Sequence, residues 1–312
     1  MGKRLSIRYG GVPDLDRTVA LQSGEVSPNG IELDYVILDQ PPDVLRGIPE
    51  GLDAVEATLF DFLTSATSGS TPLVAIPVFT ARYLPTDLLW TRGDTGPQTL
   101  HDLQGARIAY RATDPTARVW ADVWLSTVLG NSDAVDWMEV TDEITEIEAL
   151  ETSDAMCCRP PVGDDLVRVS SERSEVLEHL ESLGGVLPIF HLVVLRRDVY
   201  EENHWIAVEL MDAFVRSKFI GLERVRYFGA LAVSLPWLRR AVDAVDSQFQ
   251  GDAYPYGLAE NMSSLQRFME SAFEGEVAGS LDLSEVFAVE TVEIPGAPNT
   301  TKYVVPLSGV RR

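Results

Sequence analysis

Residues 184–197, GGVLPIFHLVVLRR, form the most apolar strand-like run of the chain and enclose one histidine, His191. Val186, Leu187, Ile189, Phe190, Leu192, Val193, Val194 and Leu195 leave almost no polar face. That is the mark of a strand covered on both sides in an α/β sheet, and the run is far too short to cross a bilayer. Two glycines open it and two arginines close it. Asp198 then stands as an N-cap for a helix expected over Val199 to Phe219, with Trp205, Val208, Met211, Ala213 and Val215 among its apolar positions. His191 is therefore expected near the carboxyl end of a buried strand that feeds a helix, the edge at which open α/β sheets hold their ligands.

The same alternation extends outward from this run. Upstream, strands are expected at Leu5–Tyr9, Gly30–Leu38, Leu52–Ala57 and Leu73–Tyr83, with helical stretches at Pro13–Leu21, Asp43–Ile48 and Thr58–Thr67 between them. The Gly, Pro, Asp and Thr of Gly93–Gly105 read as a hinge. A second, smaller set follows: strands at Arg107–Arg111, Val135–Val140 and Ala155–Cys158, and helices at Asp114–Leu129 and Glu143–Leu150. From there the chain is polar until Gly184. Helices fill most of the remainder, including Leu238–Phe249 and Met262–Glu274, with a short strand expected at Tyr303–Val305. The pattern predicts an α/β protein of two lobes with a ligand cleft between them. Residues 1–95 and 198–312 form the first lobe, and residues 96–197 form a second lobe inserted into it.

Composition narrows the function. With 312 residues and 45% apolar content, the chain has ample material for a packed core. A net charge of −23 without any local run of basic residues argues against nucleic acid and anionic membrane surfaces as partners. The basic side chains are nearly all arginine, since only Lys3, Lys218 and Lys302 are lysines. The acidic surface fits either a high-salt habitat or codon bias. Cys157 and Cys158 are adjacent and read as reduced, buried thiols. Lys3 and Arg4 are not followed by the apolar core of a secretory signal, so a cytoplasmic location is expected. Zinc-type spacings, phosphate loops, dinucleotide fingerprints and the GxSxG elbow do not occur, so no metal or organic cofactor is expected. His101, His179 and His204 fall in the hinge, a polar helix and a helix start.

Several short stretches carry a resemblance when taken together in order. They are Asp16-Arg17-Thr18, Gly24-Glu25-Val26, Gly30-Ile31-Glu32-Leu33 and Val74-Ala75-Ile76-Pro77-Val78-Phe79. They continue with Cys158-Arg159-Pro160-Pro161, Leu187-Pro188-Ile189-Phe190-His191, Arg197-Asp198-Val199-Tyr200-Glu201, and Pro255-Tyr256-Gly257 with Glu260-Asn261. Over nearly its whole length the chain thus resembles the 4,5-dihydroxyphthalate decarboxylase family. The resemblance implies a fold similar to type II periplasmic binding proteins and removal of one carboxyl group from a hydroxylated aromatic dicarboxylate, giving protocatechuate in the family's named reaction. The alternative is a binding-protein-like module that captures a small anionic ligand without turnover. The sequence leaves oligomeric state open.

The residues can be fitted to that chemistry. A flat aromatic dianion is best matched by the arginine fork, and Arg17, Arg82 and Arg159 each stand at the end of an expected strand or in its following turn. A para hydroxyl can push electrons into the ring while an acid protonates the carbon that loses its carboxylate. His191 suits the acid's role because imidazole titrates near neutrality. Glu56 could accept a catechol proton, while Thr58 and Thr116 sit near helix N-termini, where anions are favoured. Trp120 or Tyr256 could stack on the ring, and Ile189 or Phe190 could supply an apolar wall. Each of these residues also has an ordinary structural reading: an ion pair, a helix cap or a core position.

Overall fold

The computed structural model describes all residues except 1–3, 70, 94, 131–133, 160–165, 171, 228–233, 274–280 and 297–312. The strand expected at Tyr303–Val305, and Pro160 and Pro161, lie outside the described residues. The strands are β1 (Leu5–Gly11), β2 (Ile31–Ile37), β3 (Ala54–Thr58), β4 (Leu73–Arg82), β5 (Leu89–Arg92), β6 (Arg107–Arg111), β7 (Asp136–Val140), β8 (Ala155–Cys157), β9 (Leu166–Arg168) and β10 (Ile189–Arg196). They form two five-stranded sheets, ordered β2-β1-β3-β10-β4 and β7-β6-β8-β5-β9. The expected two-lobed α/β fold is present.

The opening run is β10, and it lies inside the first sheet between β3 and β4. Phe190, Leu192, Val193, Val194 and Leu195 are all essentially without solvent contact. At about 1.5–3 kcal/mol for each fully buried large apolar side chain, this strand is a main anchor of the lobe. β4 is buried along its whole length yet occupies the sheet edge, where Pro77 forfeits no ladder hydrogen bond. That edge is covered, since the Gly257 N–H donates to the Pro77 carbonyl and the Ala288 N–H to the Ala75 carbonyl, each at 2.8 Å.

Strand pairing moves the lobe boundaries away from 95 and 197. Leu89–Arg92 already belongs to the second sheet, pairing with β8 and β9, while Ile189–Arg196 belongs to the first. The chain therefore crosses between residues 82 and 89 and returns between 168 and 189. A four-residue strand has too little period to be read locally, and its partner is chosen by tertiary contact. Other expectations change as well, and the helix expected over Val199–Phe219 is two, Arg197–Glu202 and Trp205–Arg226, with Arg196 and not Asp198 at the first N-cap. The helix expected over Pro13–Leu21 shrinks to α1 (Val19–Gln22), and no helix forms over Asp43–Ile48. The polar stretch before Gly184 contains β9 and a helix at Arg173–Ser182.

The helices after α1 include α2 (Leu59–Thr67), α3 (Pro115–Leu129), α4 (Glu146–Ala149), α5 (Arg173–Ser182), α6 (Arg197–Glu202), α7 (Trp205–Arg226), α8 (Leu238–Phe249) and α9 (Met262–Ala272). Thr58 caps α2, accepting the Asp61 N–H at 3.2 Å, and Asp114 caps α3 with Pro115 in its first turn. α7 covers the first sheet, with Phe214 edge-on to Tyr9 at 5.3 Å between ring centroids. It comes close to the turn before α1 because residue 221 is glycine: a Cβ there would lie 2.1 Å from the Asp16 carbonyl oxygen. α9 does not stay with the first lobe. It packs on α3 of the second, with Phe268 against Trp120 at 5.1 Å and the Ser271 hydroxyl donating to Asp122 at 3.0 Å. Among the described residues no helix is long and apolar enough to cross a membrane.

Candidate active site

In the first sheet β1 and β3 run parallel, whereas β10 is antiparallel to both β3 and β4. His191 is consequently near the amino end of its strand rather than the carboxyl end that was expected. The reversal leaves it at the functional edge all the same. Its pairing partners, Thr58 and Ala81, are at the carboxyl ends of β3 and β4. Glu56 pairs with Val193 and Thr58 with His191, so Glu56 and His191 are diagonal neighbours on one face of the sheet. Their side chains meet, with His191 Nδ1 2.7 Å from Glu56 Oε1. Glu56 is completely buried and His191 is 5% exposed. The other carboxylate oxygen accepts the Val12 N–H at 3.2 Å from the end of β1.

The pair lies at the floor of a cavity of about 310 Å³, lined by Val12, Leu15, Arg17, Asp39, Gln40, Pro41, Glu56, Ala81, Arg82, Tyr83, Arg159, His191 and Tyr254. All three expected arginines therefore converge on one cavity, and they come from both lobes. With Nδ1 engaged by Glu56, the ring nitrogen left for the cavity is Nε2.

The three arginines differ in their freedom. Arg17 donates through Nε to the Thr80 carbonyl and through a terminal nitrogen to Asp16 at 3.0 Å, and its guanidinium lies 4.5 Å from the centre of the Tyr254 ring. The Thr80 carbonyl is available because the β10–β4 register breaks there: Ile76 is opposite Val193 but Ala81 is opposite His191, so β4 bulges between them. Arg159 donates through Nε to the α3 cap Asp114 at 2.8 Å. Burial alone would depress this guanidinium, yet Asp114 and the Tyr83 phenol outweigh burial and raise its pKa.

Arg82 does not offer the free fork that was expected of it. One terminal nitrogen donates to the Leu187 carbonyl at 2.6 Å, and the other to the Pro255 carbonyl at 2.8 Å and to Asn261 Oδ1 at 2.5 Å. It is 3% exposed, and burial pushes its pKa down to about 9 against the pull of Asp252. Only Nε is without a hydrogen-bond partner among the described residues. Arg82 thus fixes three chain segments around the cavity and adds a fixed positive charge to its wall.

Other expectations are redirected. Glu56 lines the cavity, with one carboxylate oxygen against His191 Nδ1 and the other accepting the Val12 N–H, a position from which it can orient the imidazole. Trp120 is fully buried and donates through its indole N–H to the Ile189 carbonyl at 2.6 Å. Tyr256 is fully buried beneath the Lys218 ammonium, 4.1 Å from its ring centre. Neither aromatic reaches the cavity. Thr58 is occupied as a cap, and Thr116 is buried at the start of α3 with no hydroxyl partner among the described residues. Ile189 and Phe190 are core residues, with Phe190 packed edge-on against Tyr83 at 4.7 Å. The apolar wall is formed by Val12, Leu15, Pro41 and Ala81 instead. Sequence reasoning missed Tyr83, Tyr254 and Asp39, none of which belongs to a pattern that marks a site. Among the described residues there is no group of three or more His, Cys, Asp and Glu side chains able to hold a metal ion.

Comparison with known proteins matches both fold and resemblance. No family model matches the chain. Over 93% of its length and 98% of the relative's, it is 24% identical to the 4,5-dihydroxyphthalate decarboxylase of Comamonas testosteroni. It is 28% identical to the Pseudomonas putida enzyme of the same name over 34% of this chain and 41% of that one. Among solved structures it is similar to the alkanesulfonate-binding protein SsuA of Xanthomonas axonopodis bound to MOPS. That match has a TM-score of 0.51 and 13% identity over 86% of this chain and 85% of the other. A Candida albicans protein described as having the generic periplasmic binding protein fold aligns with a TM-score of 0.50 and 10% identity, covering 92% of this chain and 95% of that one. The periplasmic-binding-protein-like fold follows from the structural likenesses, and the sequence is similar to one decarboxylase over 93% of the chain and to another over 34%.

Proposed function

We propose that this chain is a decarboxylase acting on a hydroxylated aromatic dicarboxylate of the 4,5-dihydroxyphthalate type, with protocatechuate as the product. The observation that carries the reading is the buried His191–Glu56 pair at the floor of a cavity walled by Arg17, Arg82 and Arg159. Arg17 and Arg159 bind the carboxylate that is retained, while the leaving carboxylate faces Val12, Leu15, Pro41 and Ala81. A dry apolar surface raises the energy of a bound carboxylate relative to neutral carbon dioxide and so favours its loss. Electrons from the para oxygen enter the ring, and protonated His191 delivers its Nε2 proton to the carbon bearing the leaving group. Carbon dioxide then departs, and the electrons of the broken C–C bond restore the aromatic ring. Glu56 holds the imidazole by Nδ1 and stabilises its charged form at the moment of transfer. His191 is reprotonated from water, so one proton is consumed for each carbon dioxide released.

The test is incubation with 4,5-dihydroxyphthalate, following carbon dioxide and protocatechuate, with binding measured separately by calorimetry. His191→Asn is expected to bind within a few-fold of the parent and to lose ~10²-fold or more in turnover. The fold is also that of proteins which only bind. A parent that takes up aromatic dicarboxylates without releasing carbon dioxide would replace the enzyme by a module that captures a small anion.

A further inference from the structure

We infer that Tyr254 is the specificity-determining residue that fixes how long a ligand the site accepts, by closing the site cavity against a separate apolar cavity beside it. The inference rests on the proposed aromatic-carboxylate site and concerns the class of ligand that site takes. The second cavity measures about 250 Å³, and Leu222 and Val225 of α7 with Leu238, Ala241, Val242 and Val245 of α8 supply its apolar lining among the described residues. Arg17 and Tyr254 line both cavities, so this stacked pair is the wall between them.

The wall is held from every side. The Tyr254 N–H donates to Asp252 Oδ1 at 2.9 Å, and its carbonyl accepts from Lys218 Nζ at 3.0 Å. Its hydroxyl donates to the Arg82 carbonyl at 3.2 Å, and its ring stacks on Arg17. Lys218 is itself 2% exposed and paired with Asp252 at 2.5 Å, so the anchor is buried. A ring held by this many contacts is a rigid partition. It confines the ligand to one ring with short substituents, although an apolar space suited to an alkyl chain lies immediately behind. The cations that line only that space, Lys218 and Arg226, each donate both to an aspartate and to a backbone carbonyl, of Tyr254 and Gly251. Among the described residues the space therefore has no uncommitted cation of its own, and it suits the apolar extension of a ligand anchored next door.

The test compares phthalate with 4-butylphthalate, by calorimetry, on the parent, Tyr254→Phe and Tyr254→Ala, with circular dichroism as the check on folding. The parent and Tyr254→Phe, which both keep the ring, are expected to prefer phthalate. Tyr254→Ala merges the cavities and is expected to gain about tenfold or more in affinity for the butyl ligand relative to phthalate, from burial of the chain. Refilling the apolar side, as Tyr254→Ala with Val242→Phe, should remove that gain. Equal preferences in the parent and in folded Tyr254→Ala overturn the partition and leave the decarboxylase reading intact. Phthalate binding with the expected preferences, but no carbon dioxide from 4,5-dihydroxyphthalate, removes the decarboxylase reading and supports the partition. If neither phthalate binds any folded variant, both readings fall.

Discussion

Glu56→Gln separates the orienting role of this carboxylate from its charge. In the parent, Oε1 meets His191 Nδ1 at 2.7 Å and Oε2 accepts the Val12 N–H at 3.2 Å, so both oxygens serve N–H donors. Glutamine has a single acceptor oxygen. Turned toward Val12, it presents its NH2 to Nδ1, which must then be unprotonated, and the doubly protonated imidazole needed for proton delivery is disfavoured. Turned toward His191, it sets NH2 against the Val12 N–H, leaving a buried donor unsatisfied at a cost of about 1–3 kcal/mol. The lost charge-assisted bond contributes about 1.5–3 kcal/mol, or roughly 10–100-fold in rate if it is felt mainly when the imidazole is charged. With the misoriented imidazole added, turnover should fall by ~10²–10⁴, the full range for a lost general acid. The arginines are untouched, so binding should stay within a few-fold. Single-turnover carbon dioxide release at saturating 4,5-dihydroxyphthalate, with calorimetry for binding, reads both quantities. Turnover by folded Glu56→Gln within about threefold of the parent would refute the reasoning, since no acid–base step dependent on this pair would then limit the reaction.

Arg159→Lys keeps the charge but loses the fork and the 2.8 Å bond to Asp114, so calorimetry should show dicarboxylate binding weakened by about tenfold or more. Arg82→Met should act on the fold as well as the ligand: it strips donors from the Leu187 and Pro255 carbonyls and from Asn261, and denaturant unfolding should show a loss of about 3 kcal/mol or more. His179 is fully buried with no partner for either ring nitrogen among the described residues, and burial, assisted by the charge of Arg267, lowers its pKa to about 4. The unfolded chain takes up this proton below pH ~6.5, while the folded chain resists until about 4. The contribution is therefore whole above pH ~6.5 and is lost as pH falls toward 4, by up to about 3 kcal/mol; His179→Phe should flatten that part of the stability-against-pH curve.

The residues themselves determined the elements whose information is local. The apolar run of β10, the alternation of β2 and the helix starts at Thr58 and Asp114 could be read because burial on both faces, pleat and helix start each leave a mark within a few neighbouring positions. Arg82 ends β4, while Arg17 and Arg159 stand in the segments after β1 and β8, so their place after strands was legible but the meeting of two sheets was needed to bring them to one cavity. Only the tertiary structure decided strand order and direction. Nothing within β10 says that it runs antiparallel to β3, yet that reversal brings His191 beside Glu56, 135 positions away in sequence. It decided equally that Arg82 is consumed by carbonyls from 187 and 255, that Trp120 and Tyr256 fill cores, and that Tyr254 lines the site. A side chain's freedom to meet a ligand depends on which distant groups satisfy it first, and those partners are chosen by packing between segments that share no local pattern.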